Sequence, residues 1–569
     1  MTGIANSKKI KLKSWLQFLT VIAGIILLAS VASLIRFRLD LTEDKRFTLS
    51  GATRKILSSV KNDIYIQVYL DGEMPIPLKR LKRSVGEMLD EFRIASGRKI
   101  DYEFINPSEG KDSKQRETQY QALIRKHLNP VDVRASDAEG SSSVKRIFPG
   151  MIVNYNGIES PVNFLNNSTS SYEQNILRSI EGLEYEMIRT IATLCSDTIY
   201  KVAFIEGHDE LPEIETADIT LNLAKFFTVD RGTIGGKTGI LDKYAAVIIA
   251  GPGKEFNEAD KLVIDQYIMK RGRVMWLFDE VAVNSDSLVN GETVGLYRPL
   301  NIEDQLFRYG VRVNPVIVQD LECMPIGLTV MSGGRQQVVP AQWIYYPLLI
   351  PSTSSPITRN LNKVKSEFAN YIDTVGLDPA IRKKILLATS NFSRTISPPV
   401  LISLKEAVLK YDEKDFNKSN LPVSVLLEGV FPSVFKNRMV SYVSDNKTIK
   451  LKTESVRNKM IVIADADIIR NEVTRTGMGE TPSPLGRDKY TGQIFGNTDF
   501  LINCINYLVD DHGIMELRSR ELKLRLLNKT RIKTEKLKWQ LINITGPVLI
   551  VIIAGLLYSY YRRRKFTRY

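Results

Sequence analysis

The chain has 569 residues, 43% of them hydrophobic and 25% charged, and a formal net charge of +14. It is long enough and apolar enough for two to four ordinary domains, which excludes a disordered polymer. Its three cysteines, Cys195, Cys323 and Cys504, are far apart and match no paired motif, which excludes a disulfide framework and a zinc cluster.

Lys8, Lys9, Lys11 and Lys13 precede an uncharged apolar run over residues 16–35, long enough at 1.5 Å per residue to cross about 30 Å of hydrocarbon once. A cleaved signal peptide is the rival reading, but the run exceeds the roughly 7 to 15 residues of a signal core. Residues 541–561 form a second apolar stretch with Tyr558, Tyr560 and Tyr561 at its end, followed by Arg562, Arg563, Arg564 and Lys565. The positive-inside rule then predicts cytoplasmic ends (1–15 and 562–569), two transmembrane helices, and the long middle outside the cytoplasm. Much of the positive excess flanks these spans, including Lys529, Arg531, Lys533, Lys536 and Lys538 of a basic stalk over 511–540. Membrane lipid is therefore the expected partner of that charge, and nucleic acid is not.

Beyond the first span lies a collar over residues 40–50, whose Ser50 can cap a short helix. Ile64 to Leu70 alternates as a strand, Leu78 to Ala95 has helical periodicity, and Ile100 to Ile105 reads as a second strand. Residues 109–146 are polar and contain Asp137-Ala-Glu-Gly-Ser-Ser-Ser143, which reads as a mobile loop, and a hairpin around Asn156-Gly157 closes a small α/β domain over 40–170. Ile176, Ile180, Leu183, Met187, Ile191 and Leu194 then share one face of a connecting helix over 171–196. Homo-oligomerisation through a coiled coil there is the alternative to packing within the chain.

Three buried runs follow: Lys201 to Ile205, Ala245 to Ala250 and Arg273 to Phe278, with Asn257 capping an intervening helix. Strand, helix, strand with short connections predicts a parallel sheet over 197–328, completed by Met460 to Ala464 and the helix from Asp499 within 441–510. Residues 329–440 are expected as an insertion or third lobe. Ligands on such sheets bind beyond the carboxyl ends of strands, which points to Glu206, Gly207, His208, Asp209, Glu210, Gly251 and Asp279.

The chemistry of these positions is limited. Glu206–Glu210 gathers one imidazole and three carboxylates, which could do acid or base work or touch a ligand, but no His-Glu-x-x-His or paired cysteine motif accompanies them. Gly236-Lys237-Thr238 imitates the end of a phosphate loop, yet Arg231 stands where its first glycine belongs, and the chain has no Gly-x-Ser-x-Gly elbow. No metal, cofactor or catalytic residue is expected, and the chain is not expected to hydrolyse ATP itself.

Residues 40–50, Phe204 to Glu210, Tyr309 to Val313, Leu427 to Phe431 and Gly496 to Phe500, in that order and between two terminal spans, resemble the GldG family of gliding-motility-associated ABC transporter proteins of Bacteroidetes. The resemblance covers nearly the whole chain. It implies a non-enzymatic auxiliary, substrate-binding subunit acting with a separate ABC ATPase and a multispanning permease, GldA- and GldF-like. It also implies a flavodoxin-like middle domain, similar to class I amidotransferases without their nucleophile. An envelope scaffold without transport, and an envelope hydrolase or transferase using the 206–210 loop, are the alternatives. Energy from ATP would reach the outer domains through the collar and the stalk.

Overall fold

The computed structural model describes residues 48–109, 112–136, 142–165, 172–196, 199–332, 335–376, 380–438, 451–477, 479–519 and 529–566, with isolated helical positions between 15 and 30. The predicted first span, the cytoplasmic ends and most of the collar lie outside the described residues, apart from those positions, part of the C-terminal tail and 48–50. The chain divides into two units, 1–40 with 47–520, and 41–46 with 521–569.

In the first unit, α1 (Gly51–Ser59) is capped as expected, the Ser50 hydroxyl accepting the Thr53 N–H at 3.0 Å. β1 (Ile64–Val68), α2 (Ile76–Ala95) and β2 (Ile100–Phe104) make the parallel unit that the periodicities predict. The face of α2 carrying Leu78, Leu81, Val85, Leu89 and Phe92 is fully buried, each side chain stabilising by roughly 1.5–3 kcal/mol. The polar segment 109–146 holds elements that its composition did not reveal, and positions 137–141 of the predicted loop lie outside the described residues. Asp112 caps α3 (Ser113–Arg125), and strands Val131–Ser136 and Ser142–Ile147 pair as a hairpin. Leu123 is the one buried residue of α3, so that helix leaves no periodic trace; it joins Tyr69, Leu128, Phe148 and Ile152 in a small separate core.

β3 (Gly150–Tyr155) and β4 (Ile158–Asn163) form the predicted hairpin, giving a four-stranded sheet in the order β2-β1-β3-β4. Asn156 and Gly157 both have positive φ, 53° and 82°, as a two-residue hairpin turn with the twist of its strands requires. α4 (Tyr172–Cys195) packs on α1, α2 and the sheet, so its apolar face is used within the chain. Both ends of the folded region meet on it. The Ser50 N–H and the Thr53 hydroxyl donate to Glu184 Oε1 at 2.8 and 2.7 Å, while the Tyr185 hydroxyl reaches Met515 Sδ at 3.0 Å. Arg518 lies over the Tyr185 ring at 5.4 Å.

The central sheet has ten strands. β5 (Lys201–Glu206), α5 (Ala217–Leu223), β6 (Thr228–Thr233), β7 (Ala246–Ala250), α6 (Glu258–Met269) and β8 (Arg273–Leu277) come first in the chain. α7 (Glu303–Tyr309) follows, then β9 (Cys323–Ser332), β10 (Arg335–Pro351), β11 (Ile381–Ala388), β12 (Pro422–Gly429), β13 (Asn458–Ile463) and α8 (Asn497–Val509). The order is β9-β10-β11-β12-β13-β8-β7-β5-β6, with Val364–Lys365 pairing on β10. Strands β6, β5, β7, β8 and β13 run parallel, and β12 turns the sheet antiparallel. Residues 329–440, expected as an insertion or third lobe, contribute β10, β11 and β12 to this sheet. All five residues of β7 and of β8 are buried, which is why Ala246–Ala250 and the four residues of β8 after Arg273 read as unbroken apolar runs.

The second unit is described by α9 (Lys529–Phe566), one helix of 38 residues and therefore about 57 Å long. The stalk from residue 529 and the second predicted span are continuous in it. Its stretch Thr534–Arg564, whose most apolar 18-residue window has a mean hydropathy of 2.2, is the one helix among the described residues long and apolar enough to cross a membrane.

Candidate functional site

The residues singled out by sequence do lie beyond the carboxyl ends of parallel strands, but they divide into two groups with different roles. After β5, Gly207 and Asp209 take positive φ, 120° and 62°, and the backbone between them turns His208 inward. The imidazole is 4% exposed and stacks on Phe256 with ring centroids 3.8 Å apart. Its Nδ1 lies 3.1 Å from Glu210 Oε1 and its Nε2 3.1 Å from Asp260 Oδ2. Burial opposes protonation, but the hydrogen bonds and charges of Asp260 and Glu210 outweigh it and raise the imidazole to about 9.

His208 is thus a cation locked between two carboxylates, with both ring nitrogens occupied. Its carbonyl accepts the Gly253 and Lys254 N–H groups at 2.8 and 2.9 Å, tying the loop after β5 to the loop after β7. Asp260 also accepts from the Gly236 N–H at 2.7 Å, so the glycine pair that imitates a phosphate loop is occupied by a carboxylate. Glu206 holds Arg231 at 2.8 Å. Gly251, at φ 64°, allows close approach: a Cβ there would sit 2.9 Å from Leu211 Cγ and 3.2 Å from Ala466. This first group is a fastening of loops to the sheet.

Asp279 belongs to the second group. It follows β8, accepts the Ala466 N–H at 3.2 Å, and is pushed up to about 6 by burial. Asp465 and Asp467, beyond β13, stand beside it. Asp465 is raised well above the carboxylate range and Asp467 to about 8, by burial first and neighbouring acids second. Arg470 bridges Asp467 at 3.3 Å and Glu215 at 2.8 Å; Lys365 bridges Glu367 and Glu472, both at 3.1 Å. Among the described residues no group of three or more His, Cys, Asp or Glu side chains is arranged to hold a metal ion.

Asp467, Arg470, Lys365, Glu367 and Tyr346 line a cleft of about 470 Å³, closed on one side by Trp343. The Trp343 ring is fully buried and its indole N–H has no hydrogen-bond partner. A buried donor left unpaired costs about 1–3 kcal/mol, and this one stands in the wall of a cleft framed by fixed charges of both signs. The arrangement suits a polar ligand held by hydrogen bonds. Cys323 does not supply a nucleophile here, since burial pushes its thiol up to about 12. None of the site residues read from the sequence lines this cleft: Asp279 stands behind it, and Lys365, Trp343 and Arg470 come from segments with no periodicity.

Residues 200–504 match the family described as an ABC-type uncharacterized transport system, and residues 43–154 match a domain of unknown function. An uncharacterized protein of Borreliella burgdorferi (strain ATCC 35210) is 20% identical over 548 residues, covering 94% of this chain and 95% of the relative. Two solved structures align at low similarity. The mmIFT52 N-terminal domain has 13% identity, TM-score 0.31, and covers 55% of this chain and 98% of its own. A ThuA-like protein from Parabacteroides merdae has 12% identity, TM-score 0.27, and covers 55% and 90%.

Proposed function

We propose, since the chain belongs to the family of ABC-type uncharacterized transport systems, that it is the membrane-associated, non-enzymatic auxiliary subunit of such a transporter. The family match across the central sheet carries this reading. The long apolar helix α9 supports attachment to the membrane, with the sheet domains outside the cytoplasm as the charge flanks predict. The cleft at Asp467, Arg470 and Trp343 is the proposed substrate contact. The order of the five parallel strands, 2-1-3-4-5 by position in the chain, supports a flavodoxin-like core extended by an antiparallel half. Chemistry belongs elsewhere: His208 has no free ring nitrogen, and the Cys323 thiol is held protonated.

The proposed partners are an ABC ATPase and a multispanning permease, GldA- and GldF-like, and the proposed setting is gliding motility, both from the resemblance. Affinity purification of the tagged full chain from native membranes, with an ATP hydrolysis assay, tests the assignment. Recovery of an ATPase and a multispanning protein is expected. Recovery of the chain alone, under conditions that preserve other membrane complexes, overturns it.

A further inference from the structure

Two chambers flank α4, away from the cleft just described, and they share Tyr185, Arg189 and Phe226 as lining. One, of about 420 Å³, is lined by apolar side chains that include Ile56, Ala192, Ile199, Phe227, Val509 and Ile514. The other, of about 480 Å³, is mixed, with the charged Arg178, Glu186, Asp499 and Arg518 lining it beside Phe164 and Ile502. Each is within the roughly 300–1,000 Å³ of ordinary ligand pockets. Ile199 and Tyr200 stand 69% and 40% exposed at the apolar chamber, a mismatch with water that an apolar guest would remove.

Arg189 sits at the junction. Its guanidinium lies 3.8 Å over the Phe226 ring, and its Nη2 is buried without a hydrogen-bond partner. The acids near the apolar chamber are already engaged: Asp511 holds Arg271 and Arg273, and Asp510 accepts the His512, Gly513 and Met515 N–H groups. Glu186 and Asp499 face Arg189 and Arg518 from the other chamber; burial pushes both carboxyls up, and the two guanidiniums offset part of that rise. A cation with an open donor, between a mainly apolar chamber and one that mixes charged and apolar groups, is the complement of an anionic amphiphile.

We infer that this pair of chambers binds a single long acyl chain with an anionic head, the chain in the apolar chamber and the carboxylate or phosphate on Arg189. The source is a free fatty acid or an anionic phospholipid. The site is independent of the substrate cleft and does not require the transporter assignment to hold.

Cys195 lines the apolar chamber and serves as a native reporter. The full chain, delipidated and held in a peptidisc without detergent, is treated with N-ethylmaleimide, and alkylation is followed at each cysteine by peptide mass spectrometry. Palmitate is expected to slow alkylation of Cys195 about tenfold and leave Cys323 unchanged; hexadecanol protects less. Arg189→Gln removes the difference between acid and alcohol. Phosphatidylglycerol protecting as well as palmitate identifies the phospholipid source, and palmitate alone the free acid. Equal alkylation with and without palmitate overturns the inference. Palmitate carrying a terminal diazirine gives a second readout that does not need thiol reactivity or a variant. Adducts at Ile199–Tyr200 or Phe226–Phe227 are expected. Adducts confined to Thr534–Arg564, or no adduct at either pair, overturn it.

Discussion

Replacing His208 with alanine removes a buried imidazolium and leaves Glu210 and Asp260 facing each other without their shared cation. The rise of the imidazole from 6.5 to about 9 corresponds to at most about 3 kcal/mol of stability. Its sign follows from the direction: a group raised in the folded state contributes fully below 6.5 and loses that contribution as pH climbs through 9. The wild type should therefore lose stability between pH 6.5 and 9 more steeply than His208→Ala. Asp467 and Glu280, both pushed up to about 8 by burial, add a decline of their own as pH rises from the ordinary carboxylate range through 8. The difference between the two chains, not the slope of either, isolates His208. Thermal unfolding of the full chain, followed by tryptophan fluorescence at several pH values, should show a Tm loss of about 4–6 °C at pH 6, shrinking towards pH 9. A loss under 1 °C at pH 6, or a constant difference across the range, refutes the reading of His208 as a charged fastening.

Gly251→Ala forces a Cβ to 2.9 Å from Leu211 at a positive φ and should cost about 1–3 kcal/mol, read as a lower Tm. Lys261 is fully buried between Glu258 at 3.1 Å and Asp304 at 2.9 Å, so Lys261→Ala should destabilise by about 3–5 kcal/mol and Lys261→Met by clearly less; equal losses would point to packing alone. Arg470→Gln withdraws the cation that restrains Asp467, so Asp467 rises further above 8, and Tm should fall more steeply than in the wild type as pH passes 8. Leu89→Ala should cost about 2–5 kcal/mol by opening the core under α2, measured in the same assay.

Wherever a face or a strand buries regular apolar positions, its period is visible, and α2, α4, β7, β8, β13 and the Asn156-Gly157 turn were all legible in the sequence for that reason. α6 was marked by its cap, the Asn257 side chain accepting the Asp260 N–H at 2.8 Å. The antiparallel half was hidden by its own residues. β10 contains Pro340 and Pro347, and β11 opens with Arg382, Lys383 and Lys384, patterns that argue against strands until neighbouring strands enclose them. β6 at the sheet edge, Thr228–Thr233, has one apolar residue to betray it. The candidate site was half legible because strand ends can be read locally, whereas Asp260 reaches His208 from 52 residues away and Lys365 joins Glu472 across 107.

Glu184 and Tyr185, neighbours on α4, hold Ser50 and Met515 respectively, the two extremities of the folded region. A pull applied to either extremity meets the same short stretch of helix before it reaches any strand of the central sheet. The route from one tether to the other is therefore a few residues of α4 rather than the hundreds of residues of chain between them. Tension between the tethers would be borne by two hydrogen-bonded contacts and one helical turn, leaving the central sheet unloaded until those contacts part.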